Sequence, residues 1–136
     1  MQIVVDANPL ISILIKPGKP IDLLFIEELN LVAPELLFKE IENNKQMIIN
    51  KSNLSEVEIN QFIEILKKRI TIYSEELFLN YRNEATKICP DEKDIIYFAL
   101  ALYLKCSIWS NEKKLKEQNY INVYATHELI DLFSTK

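Results

Sequence analysis

Short apolar runs alternate with helix-forming segments along the whole chain, and this alternation restricts the fold more than any other feature. The runs predicted to be β-strands are residues 3–5, 31–33, 70–73, 107–110 and 122–125. Strands that are separated by helices are joined by crossovers, so they run parallel with helices on both faces of the sheet. The sequence therefore predicts an α/β fold with three layers, α/β/α, around a parallel sheet of about five strands.

Apolar residues recur at helical spacing between these strands. The predicted helical segments are residues 9–14, 21–29, 37–48, 56–70, 74–88, 95–104, 111–118 and 126–133. Ser55 and Glu58 form a capping box, while Ser74 and Thr126 are predicted to cap their helices. Residues 95–104 are all apolar, which predicts a helix buried on nearly every side.

The size and composition of the chain suit one soluble domain over residues 1–136. Of its 136 residues, 49% are hydrophobic and 26% are charged, a balance typical of globular proteins. No apolar run approaches the roughly 20 residues that span a bilayer. The N-terminus reads as a buried strand rather than a signal peptide. We therefore expect a cytoplasmic protein with no membrane partner.

Glycine, cysteine and histidine are too scarce for several common kinds of site. Gly18 is the only glycine, which excludes a P-loop and a dinucleotide-binding fingerprint, since both need more than one. Cys89 and Cys106 form neither a disulfide framework nor a zinc site. The single histidine, His127, is expected on the surface in the first turn of a helix. The net charge of −4 argues against a protein that coats nucleic acid nonspecifically.

Four carboxylates are candidates: three follow predicted strands, near the carboxyl ends where sites form in open α/β sheets, and one opens the buried helix that leads into the fourth strand. They are Asp6, Glu40, Asp94 and Glu112. For the last three, a purely structural role is an open alternative: Glu40 as a solvated helix residue, Glu112 as a first-turn acid, and Asp94 as the first-turn acid of a helix that Asp91 caps. Asp6 is different, because it directly follows a strand so apolar that an unpaired charge there would cost several kcal/mol. It needs a metal ion, a hydrogen-bond donor or a chemical task.

Carboxylates that converge without histidine or thiolate partners suit hard cations, namely Mg²⁺ or Mn²⁺. Such ions activate water and stabilise the charge that develops during phosphodiester cleavage. The residue types thus lead to metal-dependent hydrolysis of a phosphodiester.

Four blocks of the sequence, in this order and spacing, resemble a PIN domain over nearly the whole chain. They are VVDAN at residues 4–8, PELLFKEI at 34–41, DEKDIIYFALA at 91–101 and IWSNEKKL at 108–115. The resemblance implies the three-layer PIN-like fold and a metal-dependent endoribonuclease, either a VapC-like toxin of a toxin–antitoxin pair or a related PIN ribonuclease. It implies an RNA substrate and leaves open an antitoxin partner and a homodimer.

Carried over residue by residue, the resemblance implies that the catalytic metal ligands are Asp6, Glu40, Asp94 and Glu112. Asn8, Ser110 and Asn111 match the small polar positions that support the site. The fourth acid of the family is commonly aspartate, in a Thr-Asn-Asp sequence, whereas this chain has Ser-Asn-Glu112. Glutamate keeps the charge but moves it by one methylene.

Three functions remain in competition at the level of sequence. The first is the nuclease, and the second is a catalytically weak or inactive PIN-like module that binds RNA or a protein partner. The third, a phosphatase with Asp6 as nucleophile, usually requires a second acid two residues on, where this chain has Asn8. Four lysines flank the acids and are candidates for contacts to RNA phosphates or simply solvated helix residues: Lys39, Lys45, Lys113 and Lys114.

Overall fold

The computed structural model describes residues 1–134, and within them one five-stranded parallel sheet forms the centre of the molecule. The strand order is β3-β2-β1-β4-β5. The strands are β1 (Gln2–Val5), β2 (Asn30–Pro34), β3 (Ile70–Tyr73), β4 (Ser107–Trp109) and β5 (Val123–Tyr124). Every pairing is parallel, so the predicted sheet is confirmed, with bounds within one residue of the predicted runs.

Helices cover both faces of this sheet. They are α1 (Ala7–Ile15), α2 (Leu36–Asn43), α3 (Lys45–Lys51), α4 (Glu56–Arg69), α5 (Arg82–Ile88), α6 (Ile95–Leu104) and α7 (Thr126–Ser134). Short 3-10 helices lie between them, at Lys19–Phe25, Glu75–Leu77, Leu79–Tyr81, Glu92–Asp94 and Lys113–Lys116. None of the helices within residues 1–134 is both long enough and apolar enough to cross a membrane.

Alternate residues of the strands pack into two separate hydrophobic cores, one on each face of the sheet, as expected for a sheet covered on both faces. Ile3 and Val5 point into one core with α1 to α4 and α7, whereas Val4 points into the other with α5 and α6. None of the residues of α6 is exposed, which confirms the predicted buried helix. β1 is therefore buried on both sides, and Asp6 follows it at the edge of the sheet.

Two predicted helices are interrupted where side chains bond to backbone groups. The helix predicted over 21–29 is a 3-10 helix that ends at Phe25, because the Arg69 guanidinium donates to the carbonyls of Leu24 and Ile26. The helix predicted over 37–48 breaks at Asn44, whose side chain donates to the Glu40 carbonyl at 2.8 Å. Its second part, α3, runs to Lys51, into residues 50–53, whose polar composition predicts a loop.

The helix predicted over 74–88 is wrong in its first half. Ser74 makes no side-chain capping bond, and Phe78 leaves the helical region at φ −125° and ψ 15°. This break buries the Phe78 ring against the second core, while Leu77 and Leu79 are exposed. A continuous helix begins only at Arg82.

Side chains also explain two smaller differences near the C-terminus. The helix predicted over 111–118 is reduced to one 3-10 turn, because the backbone N–H groups of Asn111 and Glu112 are held by side chains of Asn8 and Ser110. Thr126 begins α7 rather than capping it. Its hydroxyl accepts a hydrogen bond from the Trp109 indole at 3.0 Å.

Candidate metal centre

Three of the four predicted acids meet at the carboxyl ends of β1 and β4. Asp6 directly follows β1, Glu112 comes three residues after β4, and Asp94 ends the 3-10 turn that leads into α6. Asp6, Asp94 and Glu112 each offer one carboxylate oxygen, and these three oxygens all lie within 4.8 Å of one another. We call these three residues the acidic cluster. Its spacing is that of ligands around one metal ion or of a small site with bridging water.

Asp6 is held in place by hydrogen bonds to both of its carboxylate oxygens. Oδ1 accepts from the backbone N–H of Ala7 at 2.7 Å, and Oδ2 accepts from the Ser110 hydroxyl at 2.8 Å. Burial raises the pKa of Asp6 to about 6; the two hydrogen bonds oppose this shift, and the charges of Glu40 and Glu112 add to it. Asp6 is therefore fixed in orientation but short of positive charge.

Asp94 lacks even this compensation. Its side chain is 4% exposed, and among residues 1–134 no group hydrogen-bonds to its buried Oδ2 atom. Burial is the main cause that raises the pKa of Asp94 to about 8. The charge of Asp6 and a hydrogen bond to Glu112, which favours the protonated form of Asp94, add to the shift. Asp91 caps this turn, since its side chain accepts from the Lys93 N–H, and Asp94 lies in the first turn without making a side-chain capping bond of its own. Asp94 thus retains an unexplained buried oxygen.

Glu112 closes the acidic cluster on the solvent side. Its side chain is 26% exposed, and its Oε1 atom pairs with the Lys93 ammonium at 3.1 Å. The backbone N–H of Glu112 donates to the Ser110 hydroxyl. Ser110, which is fully buried, therefore donates to Asp6 and accepts from Glu112, and this fixes the spacing of the two acids.

Glu40 lies near the acidic cluster but outside the group of three. Its Oε1 atom accepts a hydrogen bond of 2.5 Å from the Tyr97 hydroxyl of α6. Burial, followed by the interaction with Glu40, raises the pKa of Tyr97 far above its usual range, so the phenol stays protonated as a donor. The charge of Glu40 contributes to the raised pKa of Asp6, which places Glu40 within electrostatic reach of the cluster.

The small polar residues form a chain of hydrogen bonds beside the cluster. Asn8 accepts from the Asn111 N–H at 3.1 Å, and the Asn111 side chain accepts from the Thr126 N–H at 2.8 Å. These bonds tie the loop after β4 to the start of α1 and to the start of α7. They hold in position the segment that carries Ser110 and Glu112.

The four candidate RNA-binding lysines differ in their surroundings. Lys45 pairs with Glu42 and Glu56, each at 3.8 Å, and its side chain is 20% exposed. Lys39, Lys113 and Lys114 are exposed. Lys113 lines a cleft of about 550 Å³ that shares Glu112 with the acidic cluster. The other residues of this cleft are Ser110, Asn111, Lys116, Ala125 and His127.

Sequence reasoning missed two residues that touch the acids, Tyr97 and Lys93. Tyr97 follows Asp94 by three positions, so both lie on one face of the same helical segment, and this spacing could have revealed it. The ion pair between Lys93 and Glu112 joins two separate loops, and no local pattern in the sequence indicates it.

Comparison with known proteins places this geometry in a family. The family model described as the PIN domain matches residues 4–121, a range that contains all four predicted acids. The chain belongs to the PIN domain family. The resemblance drawn from the four sequence blocks is thereby confirmed, and the match runs from the second half of β1 through β4.

The fold of this PIN domain also matches a solved structure. The crystal structure of VapBC2 from Rickettsia felis, bound to a DNA fragment from their promoter, matches it with a TM-score of 0.65 at 13% sequence identity. The match covers 92% of this chain and 98% of the other. At this identity the likeness establishes the three-layer fold. None of the curated proteins that were compared with the chain matches it.

The residues of the acidic cluster fit a hard divalent cation. All three donors are carboxylate oxygens, the ligand type preferred by Mg²⁺ and Mn²⁺. The unpartnered Asp94 Oδ2 atom and the raised pKa values of Asp6 and Asp94 indicate that these two buried acids lack a compensating positive charge in the protein alone. A cation bound among the three oxygens would supply it.

The affinity of this PIN domain for Mn²⁺ is expected to fall as the pH is lowered from about 8.5 to 6. The pKa values of Asp94 and Asp6 in the metal-free protein are about 8 and about 6. Below pH 8, therefore, a proton must leave before the cation binds. Displacement of one proton weakens binding by about tenfold per pH unit. Calorimetric titration in two buffers of different ionisation enthalpy measures both the affinity and the protons released; a dissociation constant that stays flat over this range would contradict the assignment.

Proposed function

We propose that this PIN domain is a magnesium- or manganese-dependent endoribonuclease and that it acts as the toxin of a toxin–antitoxin pair. The observation that supports the nuclease most strongly is the acidic cluster itself. Three carboxylates converge within 4.8 Å at the carboxyl edge of a parallel sheet, and one of them keeps a buried oxygen without a partner. A cluster with no task would be expected to have acquired hydrogen-bond donors, since buried charges without partners are destabilising.

In this proposal, Asp6, Asp94 and Glu112 hold the cation, and Glu40 assists from beside them. A bound Mg²⁺ or Mn²⁺ supplies the positive charge that activates water and stabilises the phosphate during cleavage. The chain's own part is orientation. Ser110 fixes Asp6 relative to Glu112, and Tyr97 holds one oxygen of Glu40, which leaves the other oxygen available.

The RNA is proposed to approach along the cleft that shares Glu112 with the acidic cluster. Lys113 lines this cleft, and in this proposal its ammonium contacts a phosphate next to the one that is cut. Lys39 and Lys114 are exposed and also available. Lys45 is the weakest candidate of the four, because its ammonium already pairs with Glu42 and Glu56.

The toxin assignment and the antitoxin partner rest on the fold and the size of the chain. The VapBC2 structure that this chain resembles is a complex that binds DNA from its own promoter, and the match spans 98% of that chain. The domain is thus of the same size and layout as a chain that works within such a complex. Expression of the chain alone should arrest growth, whereas expression of its Asp6→Asn variant should not.

Cleavage of single-stranded RNA with controlled metal content tests the nuclease directly. After treatment with EDTA the protein should leave RNA intact, and added Mg²⁺ or Mn²⁺ should restore cleavage at internal sites. The Asp6→Asn variant, purified in the same way, controls for contaminating ribonucleases. Binding of RNA or metal without any cleavage would favour the alternative of an inactive PIN-like binding module. Failure to bind either metal would reject the proposed function.

A further inference from the structure

Lys93 reaches the acidic cluster from the 3-10 turn that precedes α6. Its ammonium lies 3.1 Å from Oε1 of Glu112 and 3.9 Å from Oδ2 of Asp91. Within residues 1–134, this is the only ion pair made by any member of the cluster. Lys93 therefore provides the one full positive charge that touches the acidic cluster, and it does so through Glu112.

The Lys93 side chain is anchored only at this charged end. It is 67% exposed, so its ammonium can move into solvent without breaking any packing in the core. Exposed ion pairs of this kind are weak and easily exchanged, because water competes for both partners. The contact is thus weak enough to be exchanged for another cation.

An ammonium at this position and a divalent cation in the cluster compete for the same carboxylate. Two positive charges that share Glu112 repel each other, and a cation ligated by Glu112 weakens the attraction of that carboxylate for Lys93. We propose that Lys93 is the resident counter-ion of the metal-free cluster, and that the divalent cation displaces it from Glu112. This inference rests on the proposed function, since it requires the acidic cluster to bind a metal.

The affinity of Lys93 variants for Mn²⁺, measured by calorimetry, tests this inference. Lys93→Gln removes the competing charge and should tighten Mn²⁺ binding by about threefold to fivefold, the scale of an exposed ion pair. Lys93→Arg keeps the charge and should remain within about twofold of the parent protein. Lys87→Gln is the matched control, because it changes the net charge by the same amount as Lys93→Gln. Lys87 is exposed on α5 and forms no ion pair within residues 1–134.

Thermal unfolding gives a second readout that does not depend on activity. In EDTA, Lys93→Gln should melt below Lys87→Gln, because the acidic cluster has lost its counter-ion. In saturating Mn²⁺ the two variants should melt together. Equal Mn²⁺ affinities for Lys93→Gln and Lys87→Gln would overturn the inference. If the parent protein binds Mn²⁺ and cleaves RNA in that case, the proposed function stands; if the parent binds no Mn²⁺, both fail.

Discussion

The Asp6→Asn variant is expected to lose RNA cleavage by about a thousandfold or more, the scale seen when one member of a catalytic group is removed. The amide cannot replace the carboxylate as an anionic ligand for a hard cation. The same variant should unfold at a higher temperature than the parent protein in EDTA. Because the pKa of Asp6 is raised to about 6, its charged form destabilises the folded state at neutral pH by about 1–3 kcal/mol.

The sign of this stability effect can be checked by changing the pH. The raised pKa means that the folded protein binds a proton at Asp6 more readily than the unfolded chain does. The destabilisation is therefore full above pH 6 and disappears as the pH falls towards 4. The advantage of Asp6→Asn in thermal melts should shrink over the same range. Asp131→Asn, an exposed change on α7, is the matched control; retained cleavage by Asp6→Asn would remove Asp6 from the mechanism.

Removal of the Glu112 carboxylate is expected to have the next largest effect. Glu112→Ala should weaken Mn²⁺ binding and cleavage by about tenfold to a hundredfold, because the cation loses one of its anionic ligands. The Glu112 carboxylate already reaches the cluster, with one oxygen within 4.8 Å of the oxygens of Asp6 and Asp94. Glu112→Asp would withdraw it by about 1.5 Å, one C–C bond, and should therefore lower both affinity and rate rather than raise them.

The matched pair for these variants is Glu117→Ala and Glu117→Asp, since Glu117 is exposed and follows the same 3-10 turn. A metal titration and cleavage rates on all four proteins separate a ligand from an ordinary surface acid. Glu112→Ala behaving like Glu117→Ala would leave the site to Asp6 and Asp94, with Glu40 beside them.

The sheet and the location of the acids could be predicted from the sequence because both follow from local patterns. Runs such as residues 3–5 are apolar and β-branched, and they can be buried on both faces only as central parallel strands. Once the strands were assigned, the rule for the carboxyl edge selected Asp6 and Glu112. The proximity of these acids then followed from the adjacency of β1 and β4.

Two of the interruptions could not be predicted, because contacts between distant residues decide them. The helix stops at Phe25 because Arg69 donates to two carbonyls, those of Leu24 and Ile26, which lie 45 and 43 positions before it. Phe78 breaks another helix so that its ring can enter the core beneath α6. Periodicity alone reports which residues are apolar, and it does not report which backbone carbonyls will find another donor.

The finer structure of the site depends on the same kind of contact. No pattern in the sequence predicts that Glu40 pairs with Tyr97, 57 positions away, or that Lys93 reaches Glu112. Among these four acids, as far as residues 1–134 show, only Glu112 has a cationic partner, whereas Asp6 and Asp94 are buried without one. This difference identifies the buried pair as the part of the site that most needs a cation.

Diffraction from crystals soaked in Mn²⁺, recorded near the manganese absorption edge, tests the existence of the metal centre most directly. We predict an anomalous peak among the carboxylate oxygens of Asp6, Asp94 and Glu112, at about 2.2 Å from its ligands as expected for a hard divalent cation. The same crystals should show Asp94 Oδ2 with a partner. Crystals with the acidic cluster open to solvent and no anomalous peak there, at Mn²⁺ concentrations well above those that support cleavage, would contradict the assignment of this metal centre.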